Sequence, residues 1–193
     1  KEVLGGYNNV KIIHQNILTL NLKSYLKKLK SRIKVIGNIP YYITTPIIER
    51  LFRYRGLIKH AFLTVQKEFA QRIVASPGSK DYGSFSCFVR YYCDARIIFP
   101  IRKNSFSPVP KVDSAFLRLD IKEKLPLKGK KEQMLFRIIR GAFNQRRKTL
   151  RNSLHEIVPI QRLEVFFTQY RIDRNIRPEG LSLADFINLS NLQ

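Results

Sequence analysis

In 193 residues the chain carries 36 Lys and Arg against 14 Asp and Glu, a net charge of +22. That excess is more than solubility asks of a surface and favours a polyanion as partner; nucleic acid fits better than a membrane, because the charge runs along the whole chain among Tyr and Phe instead of gathering on one amphipathic helix. A disulfide framework and a zinc site are both excluded, since Cys87 and Cys93 have no second pair and His14, His60 and His155 are scattered.

In chain order, residues 10–14 read as a strand, 35–38 as a second and 61–66 as a third. Between the last two, Thr45 is placed to N-cap a helix with Pro46 at its first position, running to about Tyr54. Residues 68–75 read as a short helix ended by the turn-rich run 76–83, and 84–93 as another, although its aromatic content leaves a strand open. Residues 96–101 and 112–121 read as two more strands joined through the Pro-rich stretch 106–110. Strands alternating with helices indicate an α/β sheet covered on both faces.

Residues 122–131 are charged, carry Pro126 and Gly129, and read as a linker. Beyond them the pattern is helical only, with helices expected at 132–144, 147–154, 160–170 and 182–189. Drawn as one continuous helix, 132–154 would put Leu135, Ile138, Ile139, Ala142, Phe143, Leu150 and Leu154 on one side. Arg137, Arg140, Arg147, Lys148 and Arg151 would form a basic stripe beside them; Arg146 falls on the apolar side, so the helix breaks there or Arg146 snorkels outward. No apolar run approaches the length of a membrane span and nothing at the start reads as a secretory signal, so a soluble, cytoplasmic protein with reduced cysteines is expected.

The chemistry points to Asn38-Ile39-Pro40-Tyr41, directly behind the second strand. The Asn amide both accepts and donates, Pro40 has no N–H and fixes its own φ, and Tyr41 offers a stackable ring. Together they could grip the exocyclic amine and the face of a nucleobase. The tetrapeptide resembles the catalytic loop of S-adenosylmethionine-dependent N6-adenine methyltransferases. Further blocks extend the resemblance: Gln66-Lys67-Glu68 with Ala70, Arg72 and Ala75; the run 77–83; Phe106-Ser107-Pro108-Val109-Pro110-Lys111-Val112-Asp113-Ser114; and the run 143–152, Phe-Asn-Gln-Arg-Arg-Lys-Thr-Leu-Arg-Asn. In this order and spacing they closely resemble the KsgA family of ribosomal RNA adenine N6,N6-dimethyltransferases, over essentially the whole chain.

The resemblance implies a Rossmann-like class I methyltransferase domain, residues 1–125, followed by a small all-α domain, residues 126–193. It implies an enzyme that uses S-adenosylmethionine to dimethylate two adjacent adenosines near the 3′ end of small-subunit ribosomal RNA, with a role in small-subunit biogenesis, acting as a monomer and without a metal. It also implies a first strand, a Gly-rich loop and a second acidic-ended strand that this sequence does not show; Gly5-Gly6 precedes the first legible strand. An N-terminal segment on the order of 60 to 90 residues, the span of two βα units, is therefore expected to be absent.

Carried over residue by residue, Asn38 would accept from the target amine and lie beside the cofactor, and the Pro40 carbonyl would accept the second N–H. Tyr41 and Phe106 would sandwich the extruded adenine. Asn16 stands where the family has an Asp on the cofactor adenine; a plain loop-start Asn would look the same. Lys111, Arg146, Arg147, Lys148 and Arg151 are the candidates for RNA backbone contact, although the basic cluster could equally hold the two domains together through Glu156 or Glu164. An Erm-type enzyme acting on large-subunit RNA shares two of the blocks, but the run from Gln145 to Asn152 argues against it. A non-catalytic RNA-binding assembly factor would suit Asn16 and the absent glycine loop.

Overall fold

The computed structural model describes residues 7–26, 31–145 and 147–192. Its centre is a four-stranded sheet in the order β1-β2-β4-β3, formed by β1 (Ile33–Asn38), β2 (Ile58–Gln66), β3 (Cys93–Ile101) and β4 (Ser114–Ile121). β1 and β2 are parallel, joined through α2 (Thr44–Arg53), while β4 runs antiparallel to both β2 and β3. A short helix α1 (Leu22–Leu26) precedes the sheet. α3 (Lys67–Val74) and α4 (Ser84–Tyr92) follow β2 as a hairpin.

Register decides which face is core. Ala61, Leu63 and Val65 lie opposite Leu119, Leu117 and Ala115, so all six share one side of the pleat, and all are buried. Ile47, Ile48, Leu51 and Phe52 of α2, Ala70 and Ile73 of α3 and Val89 of α4 close over that side. On the opposite side Phe99, Phe116 and Phe62 stack in a row, with the Arg118 guanidinium 5.6 Å from the Phe62 ring. Ile36, which pairs with Phe62, is 78% exposed. The described helices thus cover one face of the sheet, where the sequence reading had both faces covered.

A second core is helical. It joins α5 (Lys130–Asn144), α6 (Leu150–Leu154), α7 (Ile160–Gln169) and α8 (Leu183–Asn191) with Tyr82, Cys87 and Tyr91 from the α3–α4 hairpin. The expected apolar stripe of α5 is buried from Leu135 to Phe143, and Leu150 and Leu154 reach the same core. Both cysteines are free and buried, and burial pushes the Cys87 thiol up to about 11 although a hydrogen bond with Tyr82 opposes it. Among the described residues no helix is long and apolar enough to cross a membrane, and no three metal-ligating side chains cluster.

Four local expectations are corrected. Residues 10–14 are not a strand: Val10, Ile12 and Ile13 are 41%, 52% and 37% exposed, and no described strand pairs with them. A lone extended segment has no ladder to satisfy its backbone. Thr45 does not cap α2; Ile43 holds that position without a side-chain bond, and the Thr44 hydroxyl donates instead to the Tyr41 carbonyl, 2.9 Å away. The helix expected over 132–144 ends at Asn144 as expected and the chain does not run on as one helix, but the next helix starts only at Leu150, capped by Thr149, and not at 147. Arg147 and Lys148 therefore sit in the connection, and Arg146 lies outside the described residues. The charged run 122–131 is more than a linker: α5 begins within it at Lys130, Leu127 is buried, and its carbonyl accepts a 2.8 Å bond from the Tyr91 hydroxyl.

Candidate functional site

Ligands of open α/β sheets bind beyond the carboxyl ends of the parallel strands. At the end of β1 the chain turns through Ile39 and Pro40 into a short 3-10 helix, Tyr41–Ile43, and passes directly into α2. The β3–β4 connection returns to the same end of the sheet, because Ser114 at the start of β4 pairs with Gln66 at the end of β2. Between the two loops lies a cavity of about 340 Å³, lined by Asn38, Pro40, Tyr41 and Phe106 together with Ile39, Ser107, Pro108 and Pro110. The Ser107–Pro108 peptide is cis.

Each wall of this cavity follows from local structure. Asn38 is the last residue of β1 and pairs with Thr64, so its side chain projects from the sheet face opposite the α2 layer. Among the described residues its amide has no hydrogen-bond partner, and the residue is exposed. Pro40, at φ −61° and ψ 131°, directs the chain out of the strand. Its carbonyl already accepts from the Ile43 N–H at 3.2 Å and has a second lone pair to offer. The half-buried Tyr41 ring is tethered by a 2.6 Å hydrogen bond between its hydroxyl and the buried Ser114 Oγ. Phe106 is half-buried outside both cores, and neither it nor Tyr41 stacks on another described ring. Among the described residues no carboxylate or imidazole lines the cavity. It offers amide, carbonyl and aromatic surfaces, a set suited to a flat heterocycle with an exocyclic amine, and its volume is near the low end of the roughly 300–1,000 Å³ usual for small-ligand sites.

Ser114 is a contributor that the sequence reading passed over. It was visible as the last residue of the Pro-Lys-Val-Asp-Ser block, yet its bond to Tyr41 crosses 73 positions of chain. Asn16 lies elsewhere: it is exposed, absent from the cavity lining, and its side-chain oxygen accepts from the Leu18 N–H at 2.9 Å in a local turn. Lys111 lines a neighbouring cavity. Arg147 and Lys148 are exposed and without an ion pair among the described residues. Arg151 is 3.6 Å from Glu164, which also binds Arg174 at 2.9 Å, so this part of the basic cluster ties α6 to α7. Glu156 pairs with His155 instead.

A family model described as ribosomal RNA adenine dimethylase matches residues 1–193. The chain belongs to this family. Among relatives of the dimethylase, ribosomal RNA small subunit methyltransferase A of Clostridium botulinum (strain Okra / Type B1) is 40% identical over 192 residues, covering 99% of this chain and 70% of that protein. The protein of the same name from Geobacillus thermodenitrificans is 37% identical, over 98% of this chain and 68% of the relative. A dimethyladenosine transferase crystal structure from Plasmodium falciparum superposes with a TM-score of 0.73 at 26% identity, over 97% of this chain and 73% of that one. The 23S rRNA methyltransferase ErmE shares the fold, with a TM-score of 0.74 at 22% identity over 99% of this chain and 75% of that one.

Membership of the family implies a methyl donor of the S-adenosylmethionine type. Of the two residues carried over for holding it, Asn38 presents an unpartnered amide at the cavity while Asn16 spends its acceptor on its own turn.

Proposed function

We propose that this dimethylase carries out S-adenosylmethionine-dependent N6,N6-dimethylation of two adjacent adenosines near the 3′ end of small-subunit ribosomal RNA, as a cytoplasmic monomer that takes part in small-subunit biogenesis. Residues 1–125 are assigned to the methyltransferase unit and 126–193 to the helical one. The observation that carries the reading is the single cavity in which the unpartnered Asn38 amide, the Pro40 carbonyl and the Tyr41 and Phe106 rings meet.

In this reading the two rings take the faces of an extruded adenine, and stacking of about 1–3 kcal/mol per base offsets much of the few kcal/mol of unstacking. Asn38 Oδ1 accepts one N–H of the N6 amine and the free lone pair of Pro40 O accepts the other. Both bonds draw the nitrogen toward a tetrahedral shape and turn its lone pair to the open side of the cavity. The bound donor supplies an electrophilic methyl group; what the chain itself contributes is position and fixed dipoles. A general base is unnecessary, since the amine becomes acidic once it bears the extra methyl and can release its proton to water. This agrees with a lining that, among the described residues, holds no carboxylate or histidine.

Transfer of labelled methyl groups to under-methylated small subunits, to large subunits and to naked RNA tests the proposal. Small subunits are the expected acceptor, and Asn38→Ala is expected to lower transfer on the order of 10²–10³-fold with RNA affinity retained. Unchanged transfer in Asn38→Ala would remove the mechanism, and transfer to large subunits alone would replace the substrate.

A further inference from the structure

A second cavity, of about 410 Å³, is lined by Gln66, Lys67, Glu68, Lys103, Lys111 and Asp113. Three of the lining residues are exposed lysines, and among the described residues none of the three makes an ion pair or a side-chain hydrogen bond. Two carboxylates share the cavity, and among the described residues neither is within ion-pair distance of the lysines. Asp113 is committed to the backbone, accepting from the Lys103 N–H at 3.0 Å through its side chain and from the Lys67 N–H at 3.0 Å through its carbonyl. Glu68 is exposed in the first turn of α3. The bonds to Asp113 pin the start of α3 and both ends of the β3–β4 loop to one another, so the three lysines share one base.

Placement makes the cluster more than a solvated surface. Lys103 and Lys111 bracket the stretch that supplies Phe106 to the base cavity, and Lys67 follows the last residue of β2. Asn38 pairs with Thr64, two residues before Gln66, so the two cavities are offset by roughly 5 Å across the sheet and 7 Å along it. A strand whose base entered the first would carry its backbone past the second. Lysine meets phosphate as a strong point charge, and three that line one cavity without partners suit a fixed, multiply accepting anion.

We propose that Lys67, Lys103 and Lys111 form a cradle for the RNA phosphate adjoining the target adenosine, positioning the strand while the neighbouring cavity takes the base. This rests on the base-cavity reading given under the proposed function and extends it to the backbone.

The test uses an RNA hairpin whose loop carries two adjacent adenosines, with one loop phosphate at a time replaced by a neutral methylphosphonate. Lys67→Gln, Lys103→Gln and Lys111→Gln are each expected to weaken binding about three- to tenfold and to flatten the salt dependence by about 0.7 to 1 in log–log slope. Lys59→Gln, at the opposite end of β2, is the control. At one phosphate beside the target, the methylphosphonate and a cradle substitution together should cost no more than either alone, whereas the control stays additive. Additive losses at every position, or losses no larger than those of Lys59→Gln, would overturn the cradle. A 2-aminopurine in place of the target adenine separates the two readings: coupling without a Tyr41-dependent fluorescence change supports the cradle and sinks the base cavity, while a fluorescence change without coupling does the reverse.

Discussion

Tyr41 shows how much one residue is asked to do. Its ring lines the cavity at the end of β1, and its hydroxyl is held 2.6 Å from the Ser114 Oγ, so the ring is tied to the first residue of β4. Tyr41→Phe keeps the ring and removes the tether, and its kcat/KM for methyl transfer is expected to fall about two- to thirteenfold, the scale of one hydrogen bond of about 0.5–1.5 kcal/mol. Tyr41→Ala removes the stack as well, and the loss should grow to about five- to 150-fold, the equivalent of about 1–3 kcal/mol. Equal effects of the two would mean that the ring face contributes nothing. At this scale much was legible. Asn38, Pro40, Tyr41 and Phe106 were named from short motifs and line one cavity, because β1 and β4 are separated only by β2 and the loops that supply these residues lie at the same end of the sheet. Ser114 and Asn16 were harder. The first acts through a partner far away in sequence, and the second has a side chain that closes its own turn, a choice that residue type alone does not reveal.

Elements were predictable where their pattern is local and uncertain where a partner decides. The apolar stripe of α5 repeats at helical spacing and is buried as expected, whereas residues 10–14 have strand-like composition and no strand beside them among the described residues. The run after β4 looked like a linker because charges dominate it, yet Leu127 is anchored by Tyr91. Tyr91→Phe leaves that buried carbonyl unpaired and is expected to cost about 1–3 kcal/mol, measured by urea unfolding; no change in midpoint would mean that the segment is not held there. Across β2 and β4, burial alone would raise the Asp120 carboxyl, but hydrogen bonds from Arg118 at 2.8 Å and with His60 outweigh it and hold the group below its ordinary value. A carboxyl lowered in this way stabilises the fold above its unfolded-state value and loses that contribution as pH falls through the folded one. Asp120→Asn should therefore be less stable than the parent at neutral pH, and the gap in urea midpoint should close on acidification. A gap independent of pH would point to packing instead.

For the whole molecule the decisive quantity is charge, +22 over 193 residues. RNA affinity is expected to fall linearly with salt on a log–log plot, by about 0.7 in slope for each single-strand phosphate contacted. A slope near zero, measured by titrating a labelled hairpin at several salt concentrations, would contradict the electrostatic reading. By itself the sequence determined the family, the polyanionic partner class, the helical periods and the residue types around the base cavity, since all of these are written in composition or in contiguous runs. Only the tertiary structure decided that Arg151 lies 3.6 Å from Glu164, that Ser114 steadies Tyr41, and that Lys67, Lys103 and Lys111 line one cavity. Those outcomes join residues far apart along the chain; a strand acquires a ladder, and a charge acquires or lacks a partner, only when the sheet and its loops have brought distant segments together.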